Sequence, residues 1–140
     1  MFIVNCMRTL HDRFIQFKNA LDRLDEVIKF YKENNSQITV DAMILRFKTC
    51  TELSWKLLKD YLKYENIGEF YSPRSVVKEA YENKIIDDGE LWLDMLEDRN
   101  LTSHAYDEII VNTIRDNIIN KHFNLLKKLE KEMELRINEK

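Results

Sequence analysis

Two glycines and one proline occur in 140 residues. That scarcity of chain-breakers constrains the fold more than any other feature. Tight turns between strands draw on glycine for positive φ and on proline for a preset φ, so sheet proteins usually carry more of both. The chain is therefore expected to be all-α.

The spacing of apolar residues supports this. Leu10, Phe14, Phe17, Leu21, Leu24, Ile28 and Tyr31 recur at steps of four and three, one stripe of a helix over Met7 to Glu33, with charged residues between them. "NNSQ" (34–37) breaks it, because Asn and Ser compete with the helical backbone. A second helix is expected over Val40 to Tyr64, capped by Thr39 or Asp41. Ile44, Phe47, Thr51, Trp55, Leu58 and Leu62 form one stripe on it and Met43, Cys50, Leu57, Tyr61 and Tyr64 another, wide enough to face two neighbours. Ser72-Pro73 reads as a helix start, Ser as N-cap and Pro in the first turn, opening a short helix over Arg74 to Lys84 with Val76, Val77, Ala80 and Tyr81 apolar. Asp87 or Asp88 caps a fourth helix over Gly89 to Leu101. A last helix spans Asp107 to Ile137, with Ile110, Ile114, Ile118, Leu125, Leu129 and Met133 on one face and His122 on the same stripe. With no repeat and no linker, residues 1–140 read as one domain, an up-and-down four-helix bundle with an additional short helix.

Composition narrows the function. A net charge of −3 lacks the basic footprint of a duplex-gripping protein. Cys6 and Cys50 make neither a disulfide framework nor a zinc set. The opening "MFIVNCMRTL" lacks the plan of a signal peptide, and no run approaches the ~20 apolar residues of a membrane span. A cytoplasmic protein without membrane contact is expected. HExxH, i,i+4 histidine pairs and acidic calcium loops are missing, so no metal is expected, and two glycines cannot build a phosphate-cradling loop, so no cofactor is either.

One stretch stands out: "DRNLTSHAYDE" (98–108) places a polar cluster between two apolar segments. On a helix of about 100° per residue, Asn100, His104 and Asp107 continue the line of Leu93 and Leu96, so the cluster reads as an extension of the buried face. Core-facing polar groups cost free energy unless they are paired or functional. Arg99 and His104 lie about 140° apart on a straight helix. A distortion near Thr102, or two copies meeting across a dimer axis, would bring them together. Arg with His suits metal-free phosphoryl chemistry: the guanidinium binds phosphate and stabilises transition-state charge, and the imidazole moves a proton near neutral pH. The spacing alone favours, over this, a structural role in which Arg99 pairs with Glu97, Asp98 or Glu52 and His104 is a satisfied junction residue. His11 reads as a surface residue and His122 as a packed one. Ser103 has no nucleophile surroundings, and Trp55 and Trp92 read as core.

The order of motifs is more specific. "RFKTCTELSWKLLKDYLKYE" (46–65) and "SPRSVVKEAYENKIIDDGELWLDMLEDRNLTSHAYDE" (72–108) carry Glu-x-x-Trp-Lys, Ser-Pro-Arg, Trp-Leu-x-Met-Leu and Arg-Asn-x-x-x-His-x-Tyr-Asp in succession. In this the chain resembles the nucleotidyltransferase substrate-binding family of the HEPN superfamily, from the second helix onward and more loosely in the first. The resemblance implies a homodimeric helical bundle encoded beside a small nucleotidyltransferase and serving as its substrate-binding partner, one half of a toxin–antitoxin-like pair. It also implies the alternative of a metal-independent ribonuclease toxin acting on an RNA substrate. In that reading Arg99 and His104 are catalytic, Asp98 and Asn100 support them, and Tyr106 accepts the AMP with which the partner silences the toxin. The balanced charge fits an RNA substrate least well; Lys56, Lys59 and Arg74 are the cations that would supply a local patch.

Overall fold

In the computed structural model the backbone of residues 2–138 is described, with side chains from residue 7 onward and at residue 5. Six α-helices follow in order: α1 (Phe2–Glu33), α2 (Gln37–Tyr64), α3 (Pro73–Glu82), α4 (Gly89–Leu101), α5 (Glu108–Asn117) and α6 (Phe123–Asn138). A 3₁₀ turn (Thr102–His104) closes α4, and a π turn (Ile118–His122) carries α5 into α6 without a break. The last three elements thus form one rod, and the architecture is the expected all-α bundle of four main helices with a short extra one, α3. No strand occurs among the described residues.

The periodic stripes become the core. Leu10, Phe14, Phe17, Leu21, Leu24 and Ile28 of α1 are buried, and Tyr31 packs half-buried against them. The double stripe of α2 has a clear cause: α2 contacts α1, α3, α4, α5 and α6. A helix surrounded on several sides needs apolar residues around more than one face. One hydrophobic cluster draws on every helix, from Phe17 and Phe47 through Val76 and Trp92 to Val111, Leu126 and Met133.

Local signals set the helix ends, with three departures from expectation, the first being that α1 begins at Phe2 rather than Met7. Ser72 caps α3 by accepting from Ser75 N, and Pro73 opens it. Asp88 caps α4 by accepting from Leu91 N. The N-terminus of α2, however, lies three residues earlier than expected. Ser36 is the cap, accepting from the backbone of Thr39, whose own hydroxyl bonds Ser36 Oγ and the Asn34 carbonyl. Thr39 and Asp41 are therefore inside the helix rather than its caps. Helix α3 ends at Glu82, before the expected Lys84, because Lys84 takes a left-handed φ of 61°. Tyr81, expected on its apolar face, is exposed. Cys50 is a buried free thiol, whereas the side chain of Cys6 lies outside the described residues.

Candidate functional site

The polar stretch occupies the end of α4, the 3₁₀ turn and the start of α5, and its residues divide into two tiers. Asp98 and Thr102 are buried and Arg99 is half-buried, while Asn100, Ser103, His104 and Tyr106 are exposed. The expectation that the line through Asn100 and His104 extends the buried face is thus corrected. The helix tightens at Thr102, where the hydroxyl donates to the Arg99 carbonyl at 2.6 Å and Ser103 Oγ donates to Asn100 O at 3.0 Å. Ser and Thr hydroxyls compete in this way for the last carbonyls of a helix. Asn100 already faces outward within α4, His104 follows it on the 3₁₀ turn, and Asp107 then starts α5 by accepting from Ile109 N and Ile110 N.

In the lower tier, Asp98 holds the C-terminal rod. Its Oδ2 accepts from Asn117 Nδ2 at 2.9 Å and from His122 Nε2 at 2.7 Å. A carboxylate only accepts, so His122 carries its shared proton on Nε2. His122 is 1 % exposed and lies flat on Phe47 of α2, ring centroids 5.3 Å apart. Burial alone would raise the Asp98 carboxyl. The hydrogen bonds from His122 and Asn117, with the attraction of His122 and Lys121, outweigh burial and hold it below the ordinary carboxylate range. Sequence reasoning placed Asp98 beside the site and His122 in the core without joining them, and it missed Asn117. A histidine on an apolar stripe signals that some acceptor is buried with it; no signal in the sequence pointed to Asn117.

In the upper tier, Arg99 reaches Glu52 of α2 through one terminal nitrogen at 3.0 Å, while its Nε is buried without a partner. Of the three acidic partners weighed from sequence, Glu52 is the one observed. Lys56, one turn further along α2, shares Glu52 at 3.6 Å. It is the one of the three anticipated cations that stands at the site by contact. Lys59 lies over the Tyr71 ring instead, and Arg74 lines the groove between α3 and α4. His104 Nδ1 is 3.0 Å from the Tyr106 hydroxyl, with the rings edge to face. Among the described residues no hydrogen bond or ion pair joins Arg99 to His104. The turn thus distorts where expected, yet within one chain it leaves the two on separate partners. No group of three or more His, Cys, Asp or Glu among the described residues could hold a metal ion. None of the helices is long and apolar enough to cross a membrane among those residues.

A fold and a surface of this kind define a helical bundle that presents an Arg-x4-His-x-Tyr turn. The model of the family described as "Nucleotidyltransferase substrate binding protein like" matches residues 12–135, and the chain belongs to that family. A crystal structure of a Thermus thermophilus protein is 30% identical, covering 86% of this chain and 98% of that one, with a TM-score of 0.72. A tri-AMPylated HEPN toxin of Shewanella oneidensis, solved in complex with its MNT antitoxin, shares the fold at 16% identity, covering 90% and 96% of the two chains, with a TM-score of 0.73. A chain of the toxin–antitoxin MntA–HpeT mutant is similar at 17% identity, 90% and 97% coverage and a TM-score of 0.73. No curated protein matches this chain significantly.

Proposed function

We propose that this protein is the helical partner of a small nucleotidyltransferase, one half of a toxin–antitoxin-like pair, and that Tyr106 accepts the nucleotidyl group. The family supports the pairing. The observation that carries the assignment of Tyr106 is its presentation: the residue is 84% exposed, and its hydroxyl rests 3.0 Å from His104 Nδ1. A phenol is a weak nucleophile until a base takes its proton, and an imidazole at hydrogen-bond distance does so near neutral pH. The Tyr106 oxygen would bond to the α-phosphorus of an ATP held by the partner. The bond from that phosphorus to the bridging oxygen would break, pyrophosphate would leave, and the proton would pass to His104. The new phosphodiester would add negative charge to the turn, two residues beyond His104.

The ribonuclease reading uses the same turn, where the Arg99 side chain is 31% exposed and His104 is exposed. There His104 would take a proton from a ribose 2′-hydroxyl while Arg99 stabilises the charge gathering on phosphate. Because each chain keeps the two on separate partners, this reading places them across a homodimer, Arg99 of one copy facing His104 of the other. The exposed Ile109, 78% accessible beside the turn, would be covered there.

The test is intact mass of the purified protein after incubation with the nucleotidyltransferase encoded beside it, ATP and Mg²⁺. A gain of adenylyl groups that Tyr106→Phe abolishes is expected. No gain, or a gain unchanged in Tyr106→Phe, overturns the assignment. In parallel, total RNA in EDTA should be cut by the unmodified wild type and not by His104→Ala; intact RNA in both sinks the ribonuclease reading.

A further inference from the structure

Asp98 and Arg99 are consecutive, yet their side chains pull the last turn of α4 in two directions. Arg99 is tied to Glu52 on α2, and Asp98 is tied to Asn117 and His122 on the rod. Two anchors on different neighbours fix the rotation of that turn about its own axis. The constraint passes onward, because the Arg99 carbonyl accepts the Thr102 hydroxyl that opens the 3₁₀ turn carrying His104.

The π turn makes the second anchor feasible. Asn117 and His122 are five positions apart, and on a regular α-helix that is about 140° around the axis. They could not both reach one carboxylate oxygen. The wider i→i+5 winding over Ile118–His122 brings them to the same side, where both meet Asp98 Oδ2. Such insertions in a helix are frequently found at functional sites. Phe47 fixes the plane of the His122 ring from below, and His122 Nδ1 is buried without a partner, so the ring has Asp98 as its one polar anchor among the described residues.

We infer that His122, acting through Asp98, is a positioning residue for the exposed turn: it sets where Arg99 and His104 stand and thereby the rate of chemistry there. The part concerning rate rests on the function proposed above; the positioning itself does not. In oriented reactions a displacement of about 1 Å can cost on the order of 10²-fold in rate.

The experiment uses the full chain and three variants. His122→Phe keeps a ring on Phe47 and removes the donor. His122→Gln restores a nitrogen donor near the Nε2 position. Asn117→Ala removes the second donor at a half-buried site. NMR follows the Arg99 Nε–H, protected from exchange by its burial, and the His104 imidazole. Both signals should move in His122→Phe and in Asn117→Ala, and return toward wild type in His122→Gln. Folded His122→Phe with wild-type Arg99 and His104 signals overturns the inference, as does His122→Gln shifted as far as His122→Phe. Should His122→Phe not fold, unmoved signals in Asn117→Ala overturn it equally. The kinetic arm measures transfer to Tyr106: kcat should fall at least 10-fold in His122→Phe with KM little changed. An unchanged kcat despite moved signals refutes the link to rate. No transfer by the wild type refutes the proposed function, and the NMR signals then decide the positioning by themselves.

Discussion

Replacing Asp98 by Asn keeps the shape of the buried anchor and removes its charge, so its cost can be worked from the two hydrogen bonds. Hydrogen bonds to a charged group contribute about 1.5–3 kcal/mol each and neutral ones about 0.5–1.5 kcal/mol. An amide oxygen at the Oδ2 position can still accept from Asn117 and His122, so each bond falls by roughly 1 kcal/mol and the total loss is about 2 kcal/mol near neutral pH. For a chain of this size 1 kcal/mol corresponds to about 3–5 °C in Tm, which places Asp98→Asn roughly 6–10 °C below wild type. The pH dependence carries the sharper test. The folded carboxyl is held below its ordinary value of 3.8. A depressed carboxyl stabilises the fold fully above its unfolded pKa and loses that contribution as pH falls through the folded pKa. The carboxyl's share of the gap between wild type and Asp98→Asn should therefore shrink as pH falls below about 4. Thermal or urea unfolding across that range reads it directly. Equal stability at neutral pH, or a gap that does not shrink as pH falls below about 4, refutes the charged anchor.

Other substitutions separate the tiers of the site. His104→Ala and Tyr106→Phe, both exposed, should change stability by no more than about 0.5 kcal/mol in urea melts while abolishing transfer or cleavage; a large loss of stability would mean the turn is structural. Ser36→Ala should cost about 1 kcal/mol through loss of the α2 cap, whereas Asp41→Ala, on the exposed face inside the helix, should cost far less. Cys50 is buried and burial pushes its thiol well up, so a thiol reagent should leave it unlabelled in the native chain and label it in denaturant; native labelling would show that α2 opens readily. Leu58→Ala, at a fully buried position of α2, should cost about 2–5 kcal/mol in the same melts.

Features that depend on neighbours within a turn or two are legible in the residues themselves. Stripes at steps of three and four mark every long helix, because an α-helix repeats every 3.6 residues and its buried face must be apolar. Ser72 with Pro73, and Asp88, mark helix starts because a cap acts on backbone within three residues of itself. Ser36 is equally local, although Thr39 and Asp41 compete with it as candidates; Ser followed three residues later by a hydroxyl-bearing Thr resembles the reciprocal cap at Ser72 and Ser75. The order of motifs identifies the family, and the hydroxyls at Thr102 and Ser103 locate the distortion of α4. Which partners the polar residues take is a matter of packing between helices. Glu52 is 47 positions from Arg99, Asn117 is 19 and His122 is 24 from Asp98. Such pairings depend on how far each helix slides and rotates against the next, which is set by side-chain packing over the whole core. The π turn follows the same logic. Its backbone has no local sequence signature in this chain, and it is where packing of the rod against α2 and α4 brings two donors onto one buried carboxylate.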